Sequence, residues 1–127
     1  MANIKNLKKL LKVYGPDHEV AYVRWAPSSS STQTLTEARG ITSVTRSGAG
    51  AYTVNVARKC RNLVALIQVV ENNTTHYHFA RIESTSAAAG TVAVSHKSVA
   101  FADVATGPAG SDTVDELEVL VLMQVAS

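Results

Sequence analysis

Apolar and polar residues alternate along most of this chain. In "AYTVNVA", Tyr52, Val54 and Val56 share one side and Thr53 and Asn55 the other. A period of two is that of a half-buried β-strand. "HEVAYVRWAP" alternates as well: Val20, Tyr22 and Arg24 point one way, Ala21, Val23 and Trp25 the other, and Pro27 ends the run. "THYHFARIEST" places His76, His78, Ala80 and Ile82 on one side. The closing "ELEVLVLMQVAS" reads as a long strand with Leu117, Val119, Val121, Met123 and Val125 on one face and Leu120 and Leu122 on the other.

"LVALIQVVEN" departs from the pattern because both of its faces are apolar. It reads as a central strand or as one covered by a neighbouring subunit. "GITSV" before "SGAG" forms a hairpin with "AYTVNVA", its glycines supplying positive φ. "SAAAGTVAVS" uses a similar small-residue turn, "SVAFADVA" reads as a further strand, and "TGPAGSD" as a Gly/Pro turn. "SSSSTQT" reads as a mobile polar loop.

Helical spacing occurs once, at the start. In "MANIKNLKKLLKVYG", Ile4, Leu7, Leu11 and Tyr14 recur on one side, lysines fill the other, and Gly15-Pro16 closes the run. At about three turns such a helix is marginal alone and needs a partner surface. The pattern therefore predicts a basic amphipathic arm over 1–16, helical or extended, and one β domain over 17–127. About eight strands with turn signals roughly every ten residues predict an all-β fold, a single antiparallel β-sandwich or jelly-roll-like barrel.

Charge sharpens this division. The chain carries 12 Lys+Arg and 10 Asp+Glu, a net +2. Four of the bases, Lys5, Lys8, Lys9 and Lys12, lie in the arm, so the body is mildly acidic. That is not the footprint of a dedicated nucleic-acid binder. No apolar run approaches the ~18 residues of a membrane span, and the N-terminus lacks the apolar stretch of a secretory signal. We expect neither nucleic acid nor membrane as a partner, and synthesis in the cytoplasm. The single Cys60 precludes an internal disulfide.

Candidate chemistry is sparse. His76 and His78 on one strand face have spacing that can hold a metal, with His96, Glu83 or Asp103 as possible third ligands. We read them instead as polar strand residues or a ring at a subunit axis, and expect no metal or other cofactor. Arg58, Lys59 and Arg61 flank Cys60 and would depress its pKa if they dominated, but no Cys-His-Asn arrangement accompanies it. Catalytic and phosphate-binding motifs are missing, and we expect no enzyme activity. Trp25 and Tyr22 read as core residues rather than stacking platforms.

Two apolar-faced strands exceed what one sandwich core requires, and a large exposed patch marks an interaction site. Leu63, Ala65, Ile67, Val69, Leu120 and Leu122 are therefore the candidate oligomer interface. A homotrimer is favoured by architectural analogy. Ile4, Leu7, Lys8, Leu11, Lys12 and Tyr14 are the candidate docking arm, apolar side against another protein and lysines toward acidic groups.

"ITSVTRSGAGAYTVNVA…RNLVALIQVV" resembles small structural proteins of tailed bacteriophages. In those, a strand ending R-x-G-x-G precedes Y-T-V, then a basic turn and an apolar strand. The ending Ser111-Asp112-Thr113 followed by "LEVLVLMQVA" is similar too, so the resemblance covers roughly residues 40 to 127. It implies a virion component on the capsid surface, a decoration (cement) protein whose partner is the major capsid protein. The alternative it implies is a head-fibre or tail-associated module binding a receptor or glycan. Arg46, Gly48, Gly50 and Tyr52 then stand as fold determinants.

Overall fold

The computed structural model describes residues 17–72 and 75–126. The arm, with Ile4, Leu7, Lys8, Leu11, Lys12 and Tyr14, lies outside the described residues. From Asp17 onward the protein is an all-β antiparallel sandwich of two sheets.

Among the described residues nine strands follow one another: β1 (His18–Trp25), β2 (Leu35–Arg39), β3 (Ile41–Gly48), β4 (Ala51–Val56), β5 (Cys60–Val70), β6 (His76–Ser86), β7 (Thr91–Ala100), β8 (Ala109–Gly110) and β9 (Glu116–Val125). One sheet has the order β2-β1-β9-β5. The other has the order β3-β4-β7-β6, with β8 also paired to β7. Because β4 pairs with Thr91–Ser95 and β8 with Lys97 and Ser98, β8 continues the lane of β4 along β7.

The core lies between the sheets and follows the alternation. Ala21, Val23 and Trp25 of β1 pair with Val121, Val119 and Leu117 of β9, and all six are fully buried. Val44, Tyr52, Val54, Val92 and Val94 meet them from the second sheet. Trp25 packs edge-on against Tyr52, with ring centroids 5.6 Å apart. Burial of each such aliphatic side chain contributes roughly 1.5–3 kcal/mol.

Four features differ from the sequence expectation. The doubly apolar β5 is an edge strand, not a central one; β9 takes the centre because it pairs with β1 on one side and β5 on the other. "SVAFADVA" is divided: β7 runs on to Ala100, where its pairing with β6 ends at His76, and Phe101–Thr106 then winds into a 3-10 helix. The Phe101 N–H turns to the Thr75 carbonyl, 3.0 Å away, instead of a strand partner. "LTEAR" forms the short edge strand β2, which its polar composition concealed. The serine-rich loop is organised around buried Gln33, whose side chain accepts from Ser28 N–H and donates to the carbonyls of Ser28 and Ser30.

Candidate functional site

Three groups of residues outside the plain core bear on function. The first is a polar latch built on the β3–β4 hairpin. Gly50 has φ +71°, a left-handed conformation open to glycine, and a Cβ there would clash with the His96 carbonyl oxygen and lie 2.5 Å from Ser111 N. This close approach brings the hairpin against the segment after β8. Asp112 in that segment accepts from Arg46 Nη2 at 2.7 Å, from Tyr52 Oη and from the Gly50 N–H at 3.2 Å. Burial pushes the Asp112 carboxyl up, but those hydrogen bonds together outweigh it and hold its pKa at about 2. Burial first, and then the hydrogen bond to Asp112, push the Tyr52 phenol up. Every polar contact here is internal, so the latch is structural. Arg46, Gly50 and Tyr52 of the hairpin motif meet Asp112 of the C-terminal motif, while Gly48 has open space around it.

The second group is a histidine pair on the inner side of the second sheet. His96 of β7 is fully buried, and His78 of β6 stacks on it with Nδ1 3.0 Å from His96 Nε2. His96 Nδ1 lies 2.6 Å from the Ser111 carbonyl oxygen. A carbonyl only accepts, so His96 carries its proton on Nδ1. Burial lowers the His96 pKa, as does His78, and the Ser111 hydrogen bond opposes them. Neutral His96 thus offers a bare Nε2, and His78 Nδ1–H donates to it. His78 Nε2 lies 3.3 Å from Glu71 Oε2, within ion-pair reach but not aligned as a hydrogen bond.

The remaining metal candidates do not join this pair. His76 turns to Thr75 Oγ1. Glu83 sits on the opposite face, where hydrogen bonds from Arg81 and then Ser95 hold its pKa at about 2. Among the described residues, no cluster of three His, Cys, Asp or Glu side chains could hold a metal ion. Asp103 and His76 instead line an open cleft of about 410 Å³ between β7, the 3-10 helix and the segment after β8.

Cys60 is buried, its Sγ 3.4 Å from Met123 Sδ and from the Arg58 carbonyl oxygen. Burial raises its pKa; Arg58 pulls the other way without reversing the shift, and Glu19 adds to the rise. The basic cluster therefore does not activate this thiol.

The third group is exposed apolar surface. Leu63, Ala65, Ile67 and Val69 turn toward the core and are partly buried against it. Leu120 and Leu122 lie on the outer face of the same sheet, half-buried. The six residues nominated for self-association therefore occupy two opposite faces. Beside Leu120 and Leu122 on the outer face stand Leu66 and Val64, 58% and 60% exposed. Burial across this face is graded, because Val20 and Tyr22 of β1, in the same rows, are buried.

The second sheet has an outer apolar group of its own. Tyr77 and Phe79, each 51% exposed, alternate with the inward His76, His78 and Ala80. Phe101 of the 3-10 helix packs on Tyr77 with ring centroids 4.5 Å apart, and exposed Val104 follows. The alternation in "HYHFA" puts Tyr77 and Phe79 on the face opposite the histidines, but the packing of the sheets, not the pattern, turns that face outward. Phe101 gave no such signal, because its segment read as a strand.

No protein-family model, curated protein or solved structure matches this chain. The geometry of the three groups is what remains to decide between functions. It offers a β-sandwich with an internal latch, a partly buried imidazole pair and two separated apolar surfaces.

Proposed function

We propose that this chain is a non-enzymatic virion structural protein, a capsid decoration protein that bridges subunits of an assembled phage head. The observation that carries the reading is the pair of apolar surfaces on opposite outer faces. Val64, Leu66, Leu120 and Leu122 mark one, and Tyr77, Phe79, Phe101 and Val104 the other. A small body with two such faces is suited to joining neighbours: one surface serves self-association and the other a shell. A protein that binds only the assembled shell stabilises it by mass action, and several weak contacts on one oligomer add through effective concentration. The major capsid protein is the proposed partner, and the basic arm over 1–16 the proposed extension onto it.

Co-sedimentation with assembled heads tests this. The full chain should pellet with heads, and heads so loaded should withstand higher temperature. Deleting residues 1–14 should leave a folded oligomer that stays in the supernatant; undiminished binding would remove the arm from the proposal. Failure of the full chain to bind heads would remove the proposal itself.

One observation favours a second reading, a head-fibre or tail-associated module that binds a receptor or glycan. Tyr77, Phe79 and Phe101 present aromatic faces to solvent near a polar cleft lined by His76, Asp103 and Thr106, and small-ligand sites combine apolar faces with a few polar groups. Specific signals on a glycan array, lost in Phe101→Ser, would support it.

A further inference from the structure

Strand β5 ends its sheet: β9 pairs with one edge, and among the described residues no strand hydrogen-bonds to the other, which β6 of the second sheet approaches closely. Proteins guard such edges with short strands, lysines, prolines or bulges, because unpaired backbone groups invite another strand. At eleven residues β5 is long, and from Asn62 to Val70 it holds a regular register with no charge and no proline. The bulge and the one charge of the strand, Arg61, fall at its start. The opposite edge, β2, is five residues long and carries Glu37 and Arg39.

We infer that β5 pairs antiparallel with β5 of a second copy, about a two-fold axis at Ala65, joining two four-stranded sheets into one continuous sheet. This rests on the self-association in the function proposed above, and makes its symmetry two-fold rather than three-fold. Directly opposed residues of an antiparallel pair share a face. With the axis at Ala65, Val64 opposes Leu66 twice on the outer face, so the two most exposed aliphatic residues of β5 cover each other. On the core side Leu63 opposes Ile67, which closes the side of the sandwich where Leu63, Ala65 and Ile67 are only partly buried. Asn62 opposes Gln68, amide to amide. A one-residue slip of one strand would set outward side chains against inward ones.

Charge favours a second copy as the occupant. Arg58, Lys59 and Arg61 gather at the start of β5, whereas Glu71, Asp115 and Glu116 gather at its end, Asp115 N–H donating to Glu71 and Glu116 pairing with Val70. Antiparallel pairing lays the basic start of one copy along the acidic end of the other. Arg58 and Arg61 also hold Glu19 and Asp17 within the chain, so the complementarity sets register and direction more than affinity. A contact of this kind is isologous and closes after two copies.

Sedimentation of the full chain between about 1 and 100 μM tests the inference. No shell is present, so the result is independent of capsid binding. The mass should rise with concentration to two chains. Leu66→Lys, at an exposed position, should raise the dissociation constant at least tenfold, whereas Thr36→Lys at the exposed second position of β2, on the opposite edge, should leave it unchanged. Ala65→Cys in a Cys60→Ser background should cross-link to a covalent dimer on oxidation, a readout that stands if Leu66→Lys fails to fold. A single-chain mass throughout, a three-chain mass, or a dimer that neither responds to Leu66→Lys nor cross-links through position 65 would each overturn the inference.

Discussion

Arg46 and Asp112, 66 residues apart in the chain, face each other with both Nε and Nη2 of the guanidinium on the carboxylate. This pair ties the β3–β4 hairpin to the segment that leads into β9. Tyr52 and the Gly50 N–H reach the same carboxylate, so one side chain joins four points of the fold. A bidentate, partly buried pair of this kind is worth more than a surface ion pair.

Asp112→Asn should therefore destabilise the protein by about 2 kcal/mol or more, since Arg46 and Tyr52 lose their charged acceptor. Urea denaturation checks this. A double-mutant cycle with Arg46→Met should return a coupling of at least about 1 kcal/mol.

The same carboxylate predicts an acid transition. Its folded pKa is about 2, below the unfolded value of 3.8. The unfolded chain then binds the proton more readily, so the stabilisation is complete above pH 3.8 and is lost as pH falls toward 2. The loss should be on the order of 2 kcal/mol. Denaturation midpoints measured between pH 5 and 2 should fall more steeply for the parent than for Asp112→Asn.

His96 governs a separate window. Burial lowers its folded pKa below 6.5, so the native state prefers it neutral. Stability from this preference is present above pH 6.5 and declines as pH falls below that value, because the unfolded imidazole takes up a proton that the folded one resists. Thermal midpoints between pH 8 and 5 should show the decline, and His96→Gln should flatten it. Glu71 beside His78 and Asp112 beside Ser111 are the acidic groups near the pair.

The two glycines of the hairpin should behave differently. Gly50→Ala forces a Cβ into the His96 carbonyl at φ +71° and should cost about 2–4 kcal/mol or prevent folding. Gly48→Ala, with nothing within 4 Å of the added Cβ, should change stability by less than about 1 kcal/mol. Comparing the two in one urea series separates backbone conformation from loss of flexibility in the turn.

Cys60 should react slowly with a disulfide reagent such as Ellman's. Its thiol is buried and its pKa raised, so thiolate and access are both scarce. Labelling in the native state should be at least about a hundredfold slower than in denaturing urea. Rapid native labelling would contradict the packing against Met123.

Alternation by itself did not say which face of β5 is buried, but it determined the β class, the extents of β1, β4 and β9 to within a residue or two, and which residues of each strand share a face. These are local properties: each residue's neighbours two positions away share its face, whatever the strand pairs with. It also placed Tyr77 and Phe79 opposite the histidines. Only the tertiary structure decided what lies beside what. The apolar composition of β5 fitted a central strand as well as an edge one, since the residues of a strand do not record its place in the order. The contact of His78 with His96, and that of Arg46 and Tyr52 with Asp112, depend on register between distant segments. Register is set by the summed burial of whole sheets and by one close approach at Gly50, neither of which is carried by any short stretch of sequence.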